Sequence, residues 1–426
     1  MNEVPFKEFT VPEANRAYGL IEQICREIGP GCPCSPQEHQ RGHAIEEALR
    51  ECTSEVDVEP FACSPRAFLG WFRAAGIVDA LALLFFYLSL KPWSPWFLSL
   101  LAFLLASSVF LTMVQEFFWY RQFIDLFYAK GSSFNVIGKM RHGDEKDVRR
   151  VIFFAGHHDS ALQYTWLRYL KAAYYVAVLF LILTVSLCFL GFGLRFLFVT
   201  LGVEAPWLVT FIRWMSFTLL PLGFLFSFFF TEKGENGGKV PGATDNLTGS
   251  TLAVAMGRIL QQNPTLIPEG TEVRLASFGC EEAGLRGAKA YVEQHLQELQ
   301  SKEVLCVNID TVVDPEIVIF TSDLNGFLKH SDRAVRLLNE AAENATVPHR
   351  TMPFPFGGGG TDAAAFTEAG FQAATLYSLK VPSQMIAFYH QEFDTPDKVQ
   401  EESLDHTLRI CCRLLQDIGE REKAQG

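Results

Sequence analysis

The sequence predicts an α/β domain whose mostly parallel mixed sheet is flanked by helices and whose chain is interrupted by two apolar helical hairpins. Short runs rich in Val, Ile and Phe alternate with longer stretches of helical periodicity, which is the pattern of a sheet covered on both faces. Apolar residues make up 49% of the 426 residues, with 38 Phe among them, and they concentrate between about residues 68 and 230. This uneven distribution favours membrane spans over a single very apolar core.

The N-terminal part carries two predicted helices and one predicted strand. Apolar residues recur at helical spacing in residues 12–29 and 36–52, and a Gly-Pro-Gly break at residues 29–31 ends the first helix. The partial alternation of residues 53–61 predicts a strand. The polar start of the chain has no apolar run, so we expect no cleavable signal peptide.

Four apolar segments follow in two pairs. No charged residue lies between Lys91 and Glu116 or between Lys171 and Arg195. Both intervals exceed the roughly 20 apolar residues that a helix needs to cross a bilayer, and a buried core helix seldom runs this far without a polar face. The predicted spans are residues 70–90, 94–118, 172–194 and 207–230.

The first apolar segment differs from the others because Arg73 and Asp79 lie within or near it. Asp79 is open to two interpretations, an intramembrane carboxylate with a function or an interfacial residue beside the start of the span. In either case an even number of spans is needed, because the chain must return to one side to complete the α/β domain. Two hairpins meet that requirement.

Outside the hairpins the pattern is that of an α/β protein. Residues 134–140 and 151–155 look like neighbouring strands, separated by a polar turn around Gly143 and Asp144. Further strands are predicted at 273–278, 304–309, 316–320 and 373–377, and further helices at 245–262, 284–299, 331–345, 361–369 and 397–420. The α/β domain therefore comprises residues 1–67, 121–165 and 233–426, and the hairpins comprise residues 68–120 and 166–232.

Acidic and histidine residues follow several of the predicted strands. Because the carboxyl ends of parallel strands meet at one edge of a sheet, we expect these side chains to converge. Each has an ordinary structural explanation when taken singly, such as a helix cap, a solvated turn or a buried histidine. Imidazole and carboxylate ligands without thiolate suit catalytic zinc, so that together the set predicts a metal centre. Its members are His157, Asp159, Asp245, Glu281, Glu282, Asp310 and His390.

These motifs resemble those of the di-zinc aminopeptidases of the aminopeptidase Y and bacterial leucyl aminopeptidase type, zinc peptidases whose relatives include glutamate carboxypeptidase and glutaminyl cyclase. The resemblance covers about residues 13–65, 121–162 and 240–420, which is nearly everything outside the hairpins. The matching segments are His157-His158-Asp159-Ser160, Gly242-Ala243-Thr244-Asp245-Asn246, Glu281-Glu282-Ala283-Gly284-Leu285-Arg286-Gly287, Asn308-Ile309-Asp310, and Tyr389-His390 followed by Asp394-Thr395-Pro396.

The resemblance implies a zinc-exopeptidase-like fold and two zinc ions per chain. His157 and Asp310 would bind one ion, Glu282 and His390 the other, and Asp245 would bridge them. A pair of such ions polarises the substrate carbonyl and activates a shared water.

Three further roles follow from the resemblance. Glu281 would be the general base that takes a proton from the water and passes it to the leaving amine. Asp159 would orient the imidazole of His157, and the hydroxyl of Tyr389 would stabilise the oxyanion. His158 would pack rather than bind metal.

One segment departs from the family pattern. Residues 357–363 resemble a Gly-x-Ser-Asp-His segment, but Thr361 and Ala363 replace the serine and the histidine. This departure concerns the loop that faces the substrate and touches no expected metal ligand.

The predicted function is that of a membrane-integrated di-zinc aminopeptidase, acting on peptides with a free N-terminus. The alternatives are glutaminyl cyclisation, which works with a single zinc, and an inactive membrane scaffold; the complete ligand set argues against both. A transporter has little support, since the spans carry few charges. The net charge of −12 argues against a nucleic-acid partner, which would require a basic face.

The charges that flank the spans predict a multi-pass protein of the cell membrane with its peptidase domain in the cytoplasm. The connecting loops carry only Lys91, Arg195 and Arg213. The peptidase side carries Arg66, Arg73, Arg121, Lys130, Arg168, Lys171, Lys233 and Lys239. Most relatives act outside the cytoplasm, which argues the other way.

The ten cysteines give no clear motif. Cys32 and Cys34 form a Cys-Pro-Cys sequence, but no second pair at zinc-site spacing accompanies it. We therefore expect reduced thiols at these positions.

Overall fold

The computed structural model describes residues 6–226 and 238–425, and the chain divides into two compact units. One unit combines Met1–Pro65, Lys130–Gln163 and Glu232–Gly426, and it contains the sheet. The other combines Arg66–Ala129 and Tyr164–Thr231, and its regular structure is helical.

The first unit is built on an eight-stranded sheet in the order β1-β2-β4-β3-β5-β10-β6-β9. Four of its seven pairings are parallel (β3 with β4, β3 with β5, β5 with β10, β6 with β9) and three are antiparallel, which confirms the mostly parallel mixed sheet. The strands are β1 Val56–Cys63, β2 Gly131–Arg141, β3 Arg150–His157, β4 Thr271–Phe278, β5 Glu303–Asp310, β6 Ile317–Phe320, β9 His349–Met352 and β10 Gln372–Tyr377; β7 Ser322–Asp323 and β8 Leu328–Lys329 pair separately.

The prediction that β2 and β3 are neighbours is wrong, because β4 lies between them. Ser277 of β4 is paired with Val136 on one side and with Gly156 on the other. Residues 142–149 connect β2 to β3, and that segment is long enough to pass over one strand at the roughly 4.8 Å strand spacing.

Helices cover both faces of the sheet because its strands alternate between two apolar cores. In β3, Ile152 and Phe154 face one core and Val151 and Phe153 face the other. The helices of this unit are α1 Lys7–Glu27, α2 Pro36–Arg50, α8 Thr248–Gln262, α9 Arg286–Gln300, α10 Asp332–Asn344, α11 Ala363–Glu368, α12 Ser383–Ala387 and α13 Glu401–Gln425.

Two glycines allow α8 to approach the sheet closely. A Cβ on Gly156 would lie 2.5 Å from the backbone of Gly249, and a Cβ on Gly249 would lie 2.2 Å from the carbonyl oxygen of Ile309. Any larger residue at either position would push α8 away from β3 and β5.

The second unit contains the apolar segments. Its helices are α3 Ala67–Ser89, α4 Phe97–Thr112, which a π-helical turn Met113–Phe118 extends, α5 Thr165–Leu170, α6 Ala173–Thr200 and α7 Pro206–Phe226. Within the described residues, three helices are long and apolar enough to cross a membrane, namely Ala67–Ser89, Phe97–Phe118 and Ala173–Thr200.

The fourth predicted span coincides with α7 as far as Phe226, and its residues 227–230 lie outside the described part of the chain. The number of spans therefore stays a prediction. Asp79 lies well inside α3 rather than at its end, and it is 7% exposed.

Candidate metal centre

The structure brings six of the predicted residues together beyond the carboxyl edge of the sheet. His157 and Asp310 are the last residues of β3 and β5, and Glu281 and Glu282 lie in the loop that follows β4. Asp245 precedes α8, and His390 follows α12. The side chains of five of the six residues are each at most 10% exposed, so that solvent has little access to the site; they are His157, Asp245, Glu281, Glu282 and His390.

Asp245 lies between the two histidines. Its Oδ1 is 3.2 Å from Nε2 of His157, and its Oδ2 is 2.8 Å from Nε2 of His390. Oε1 of Glu282 is 3.3 Å from the same nitrogen of His390. One carboxylate thus faces an imidazole with each of its two oxygens, which is the arrangement that a bridging ligand requires.

The potential ligands form two groups, each with donor atoms within 4.8 Å of one another. One group is His157, Glu281 and Asp310; the other is Asp245, Glu282 and His390. Glu281 therefore lies in the first group, with Oε2 3.7 Å from Nε2 of His157. The grouping puts Glu281, the implied base, beside His157 and Asp310, and the role of each residue stays a prediction.

The residues fit zinc because their donor atoms are imidazole nitrogens and carboxylate oxygens, and because some of these buried atoms lack hydrogen bonds. Nε2 of His157 and Oε1 of Glu282 are buried, and among the described residues neither makes a hydrogen bond of acceptable geometry with the polar atoms beside it. Burial, together with the charge of Asp245, raises the pKa of Asp310 to about 7. Burial and the neighbouring carboxylates also raise the pKa values of Glu281 and Glu282 well above their ordinary value. Such crowding of buried acids favours a bound cation.

Asp159 connects two parts of the site. Its Oδ1 and Oδ2 each accept a hydrogen bond of 3.0 Å, from the backbone amides of Glu281 and Glu282 respectively. The same Oδ1 is 3.2 Å from Nδ1 of His157. Sequence reasoning anticipated the histidine contact and missed the two amides, which come from a segment more than 120 residues further along the chain.

Asp394 holds the loop of Asp245 from behind. Its side chain is fully buried and accepts hydrogen bonds from the backbone amides of Thr244 at 2.8 Å and Asp245 at 3.3 Å. The sequence places Asp394 four residues after His390, but no pattern identifies a side chain that acts through backbone amides.

The segment before α8 is not helical, so the predicted helix at residues 245–262 begins at Thr248 instead. Asp245 and Asn246 have extended or irregular dihedral angles, and the peptide bond between them is cis. The Asn246 side chain accepts hydrogen bonds from the backbone of Gly249 and Thr311 and donates one to Ile309. These bonds join the Asp245 loop to the end of β5.

His158 and Tyr389 flank the site in different ways. His158 is buried, and its Nδ1 is 2.9 Å from the hydroxyl of Ser277, away from the potential ligands. Burial lowers its pKa to about 3, so that it packs as a neutral ring. The ring of Tyr389 stacks on that of His390 with centroids 4.0 Å apart, and the role of its hydroxyl stays a prediction.

The glycine-rich loop brings a further carboxylate close to the site. The hydroxyl of Thr361 donates to Asp323 at 2.6 Å, where the family pattern has serine. Asp362 is fully buried, and neither of its carboxylate oxygens has a hydrogen-bond partner among the described residues. Its charge contributes to the raised pKa of Glu281, and sequence reasoning assigned it no role.

The sheet and its cluster of imidazole and carboxylate groups define a class, the α/β proteins with potential metal ligands at the carboxyl edge of the sheet. Within that class, residues 230–415 match the model of peptidase family M28. This match confirms the predicted resemblance to the zinc peptidases.

Two curated relatives are aminopeptidases. The chain is 26% identical over 194 residues to aminopeptidase YwaD of Bacillus subtilis, covering 43% of this chain and 39% of that protein. It is 28% identical over 192 residues to aminopeptidase NAALADL1 of Mus musculus, covering 38% and 25% respectively. The chain thus spans well under two thirds of the length of these relatives.

Solved structures confirm the fold. A structure of BSAP, a zinc aminopeptidase from Bacillus subtilis, aligns with a TM-score of 0.54 at 15% identity, covering 98% of this chain and 96% of that one. A glutaminyl cyclase from Fimbriiglobus ruber aligns with a TM-score of 0.54 at 12% identity, covering 98% and 97%. At these identities the likeness concerns the fold alone.

Proposed function

We propose that this protein is a membrane-integrated di-zinc aminopeptidase that removes N-terminal residues from peptides. The observation that carries the proposal is the position of Asp245, whose two carboxylate oxygens face Nε2 of His157 and Nε2 of His390 at 3.2 and 2.8 Å. A single carboxylate placed in this way can serve two metal ions at once.

The remaining ligands follow from the two groups. His157 and Asp310 would hold one zinc, Glu282 and His390 the other, and Asp245 would serve both. When bound, the two ions supply Lewis-acid polarisation of the peptide carbonyl and make an attacking water more acidic.

The protein's own residues would move the proton. The buried carboxylate of Glu281 would take it from the attacking water and deliver it to the nitrogen of the leaving amine. Asp159 accepts hydrogen bonds from the amides of both Glu281 and Glu282, so that it would hold the backbone of the base and of the adjacent ligand in fixed positions. Tyr389, stacked on His390, would offer its hydroxyl to the developing oxyanion.

The apolar helices support the membrane part of the proposal. Three helices have the length and composition of spans, and α7 would be the fourth. Four spans in two hairpins return the chain to the same side each time, and the excess of basic residues outside the connecting loops favours a cytoplasmic peptidase domain.

The proposed activity can be tested with three matched peptides and the zinc-loaded full-length protein. One peptide has a free N-terminal leucine, the second is the same peptide with an acetylated N-terminus, and the third begins with glutamine. We expect release of leucine from the first peptide and no cleavage of the second. Mass spectrometry of the products detects both cleavage of the first two peptides and cyclisation of the third to pyroglutamate.

Two outcomes contradict the proposal. Cyclisation of the third peptide to pyroglutamate without cleavage of the first would assign the site to glutaminyl cyclisation. No reaction with any of several free peptides, by protein that retains its zinc, would indicate an inactive scaffold.

A further inference from the structure

Three cysteines from distant parts of the chain meet in one buried cluster. Cys34 lies in the loop before α2, Cys63 is the last residue of β1, and Cys280 directly precedes Glu281. The sulfur of Cys34 is 3.5 Å from that of Cys63 and 3.6 Å from that of Cys280. Donor atoms of all three lie within 4.8 Å of one another, and we call them the thiol cluster.

A buried carboxylate adjoins the thiol cluster. Glu38 of α2 is fully buried, and its Oε1 is 3.2 Å from the sulfur of Cys280. The same oxygen accepts hydrogen bonds from the amide of Cys280 at 2.9 Å and from the hydroxyl of Ser133 at 2.8 Å. Oε2 accepts a hydrogen bond from the amide of Cys34 at 2.5 Å. Glu38 is therefore fixed in place beside the thiols by three neighbouring groups.

The sulfur separations suit a metal site and are too long for a disulfide. Zinc–sulfur bonds of about 2.3 Å in a tetrahedron place two sulfurs about 3.8 Å apart, and the two separations here are 3.5 and 3.6 Å. A disulfide would require about 2.05 Å and would leave one of the three sulfurs without a partner. Thiolate ligands also distinguish this cluster from the imidazole and carboxylate centre.

We propose that Cys34, Cys63 and Cys280 together bind one thiophilic divalent metal ion such as Zn²⁺. The three thiol protons leave to solvent as the metal binds, and the partly exposed Cys34 gives the ion access to the cluster.

Such an ion would have a structural consequence for the neighbouring centre. It would tie the loop before α2 and the end of β1 to the residue immediately before Glu281 and Glu282. The thiol site would thus stabilise the fold around the loop that carries those two glutamates. The proposal stands independently of the aminopeptidase activity, because no residue of the thiol cluster belongs to the set of imidazole and carboxylate ligands.

Cobalt provides a direct test, because only thiolate ligands give intense sulfur-to-cobalt charge-transfer absorption. Full-length protein, purified under reducing conditions and freed of metal, is titrated with Co²⁺ in detergent solution. We expect the charge-transfer absorption to appear and to saturate by three equivalents per chain, the number that fills the thiol site and both sites of the imidazole and carboxylate centre. Cys63→Ser and Cys34→Ser should each reduce it by more than half, and Cys52→Ser, which changes a buried thiol outside the cluster, should leave it unchanged.

A variant of the other centre separates the two proposals. Asp245→Asn should abolish peptide hydrolysis and keep the full charge-transfer absorption. Absence of that absorption in the wild-type protein would overturn the thiol site, as would its equal loss in Cys52→Ser. A disulfide between two of the three cysteines, found by mass spectrometry in protein that binds no thiolate-ligated metal, would overturn it as well.

Discussion

The side chain of Glu281 is the one whose role can be separated most cleanly from metal binding. Its neighbour Glu282 contacts His390, whereas Glu281 lies with His157 and Asp310. We predict that Glu281→Gln keeps both zinc ions and loses about 100- to 10,000-fold in kcat, the usual worth of a general base. Zinc analysis and steady-state kinetics on the same preparation check this.

The matched control is Glu282→Gln. Since Glu282 would be a ligand, this variant should lose zinc as well as activity. A Glu281→Gln enzyme with an ordinary rate, or one that has lost zinc to the same extent as Glu282→Gln, would refute the division of roles between the two glutamates.

Asp394 is a positioning residue and has a different signature. It touches no expected ligand side chain but accepts hydrogen bonds from the amides of Thr244 and Asp245. We predict that Asp394→Asn weakens zinc binding about 10- to 100-fold, as losses of outer-shell partners do. Competition with a chelator measures the affinity, and excess zinc should restore much of the activity.

The control for Asp394 is Asp397→Asn, in the same segment. The Asp397 side chain is 66% exposed, so this change should leave zinc affinity unaltered. If both variants bound zinc as the wild type does, Asp394 would have no part in shaping the centre.

At the scale of the elements, the fit of α8 against the sheet can be tested with one methyl group. Gly249→Ala would place a Cβ 2.2 Å from the carbonyl oxygen of Ile309. We predict that the free energy of unfolding falls by about 1–3 kcal/mol, since overpacking forces the backbone to shift. The shift in the midpoint of chemical denaturation measures the loss.

Gly19→Ala is the comparison for this variant. Gly19 lies inside α1 with nothing within 4 Å of a Cβ, so alanine should stabilise the helix by about 0.5–1 kcal/mol. Equal midpoints for the two variants would show that α8 can move away from the sheet without cost.

Most of the elements could be predicted from the sequence, and the exceptions have physical reasons. Strands such as β3 and β5 are buried apolar runs that end in a histidine or an acid, and both features are visible in the residues. The edge strand β9 is four residues long and partly exposed, so it carries no apolar alternation. The neighbour of β2 could not be predicted, because pairing depends on which later strand enters the sheet.

Some residues of the candidate site could likewise be predicted from the sequence, and others could not. His157, Asp245, Glu282, Asp310 and His390 could be predicted because their motifs are intact. Asp394, Glu38 and Asp362 could not, because what they touch is set by the tertiary fold. The two cysteines of the Cys-Pro-Cys sequence do not act as a pair, because Cys34 meets Cys63 and Cys280 whereas the sulfur of Cys32 lies near the carbonyl oxygen of Ala161.

At the scale of the whole molecule, the proposed orientation makes a prediction about accessibility. Ser94 lies in the connection between α3 and α4, and Ser383 is exposed at the start of α12. We predict that an impermeant thiol reagent on intact cells labels Ser94→Cys and does not label Ser383→Cys. Unsubstituted protein measures the background from the native thiols, and permeabilised cells should show labelling of both variants.

The reverse pattern, with Ser383→Cys labelled and Ser94→Cys protected, would place the peptidase domain outside the cytoplasm. Labelling of both positions on intact cells would be incompatible with a hairpin that spans the membrane between them.

A zinc titration of the metal-free protein, followed by hydrolysis of a peptide with a free N-terminus, counts the metal ions that the activity requires. The Cys63→Ser background removes the proposed thiol site, so that added zinc reports only on the imidazole and carboxylate centre. We predict that activity rises to a plateau at two equivalents of zinc per chain. A plateau at one equivalent, or hydrolysis that does not depend on zinc, would contradict it.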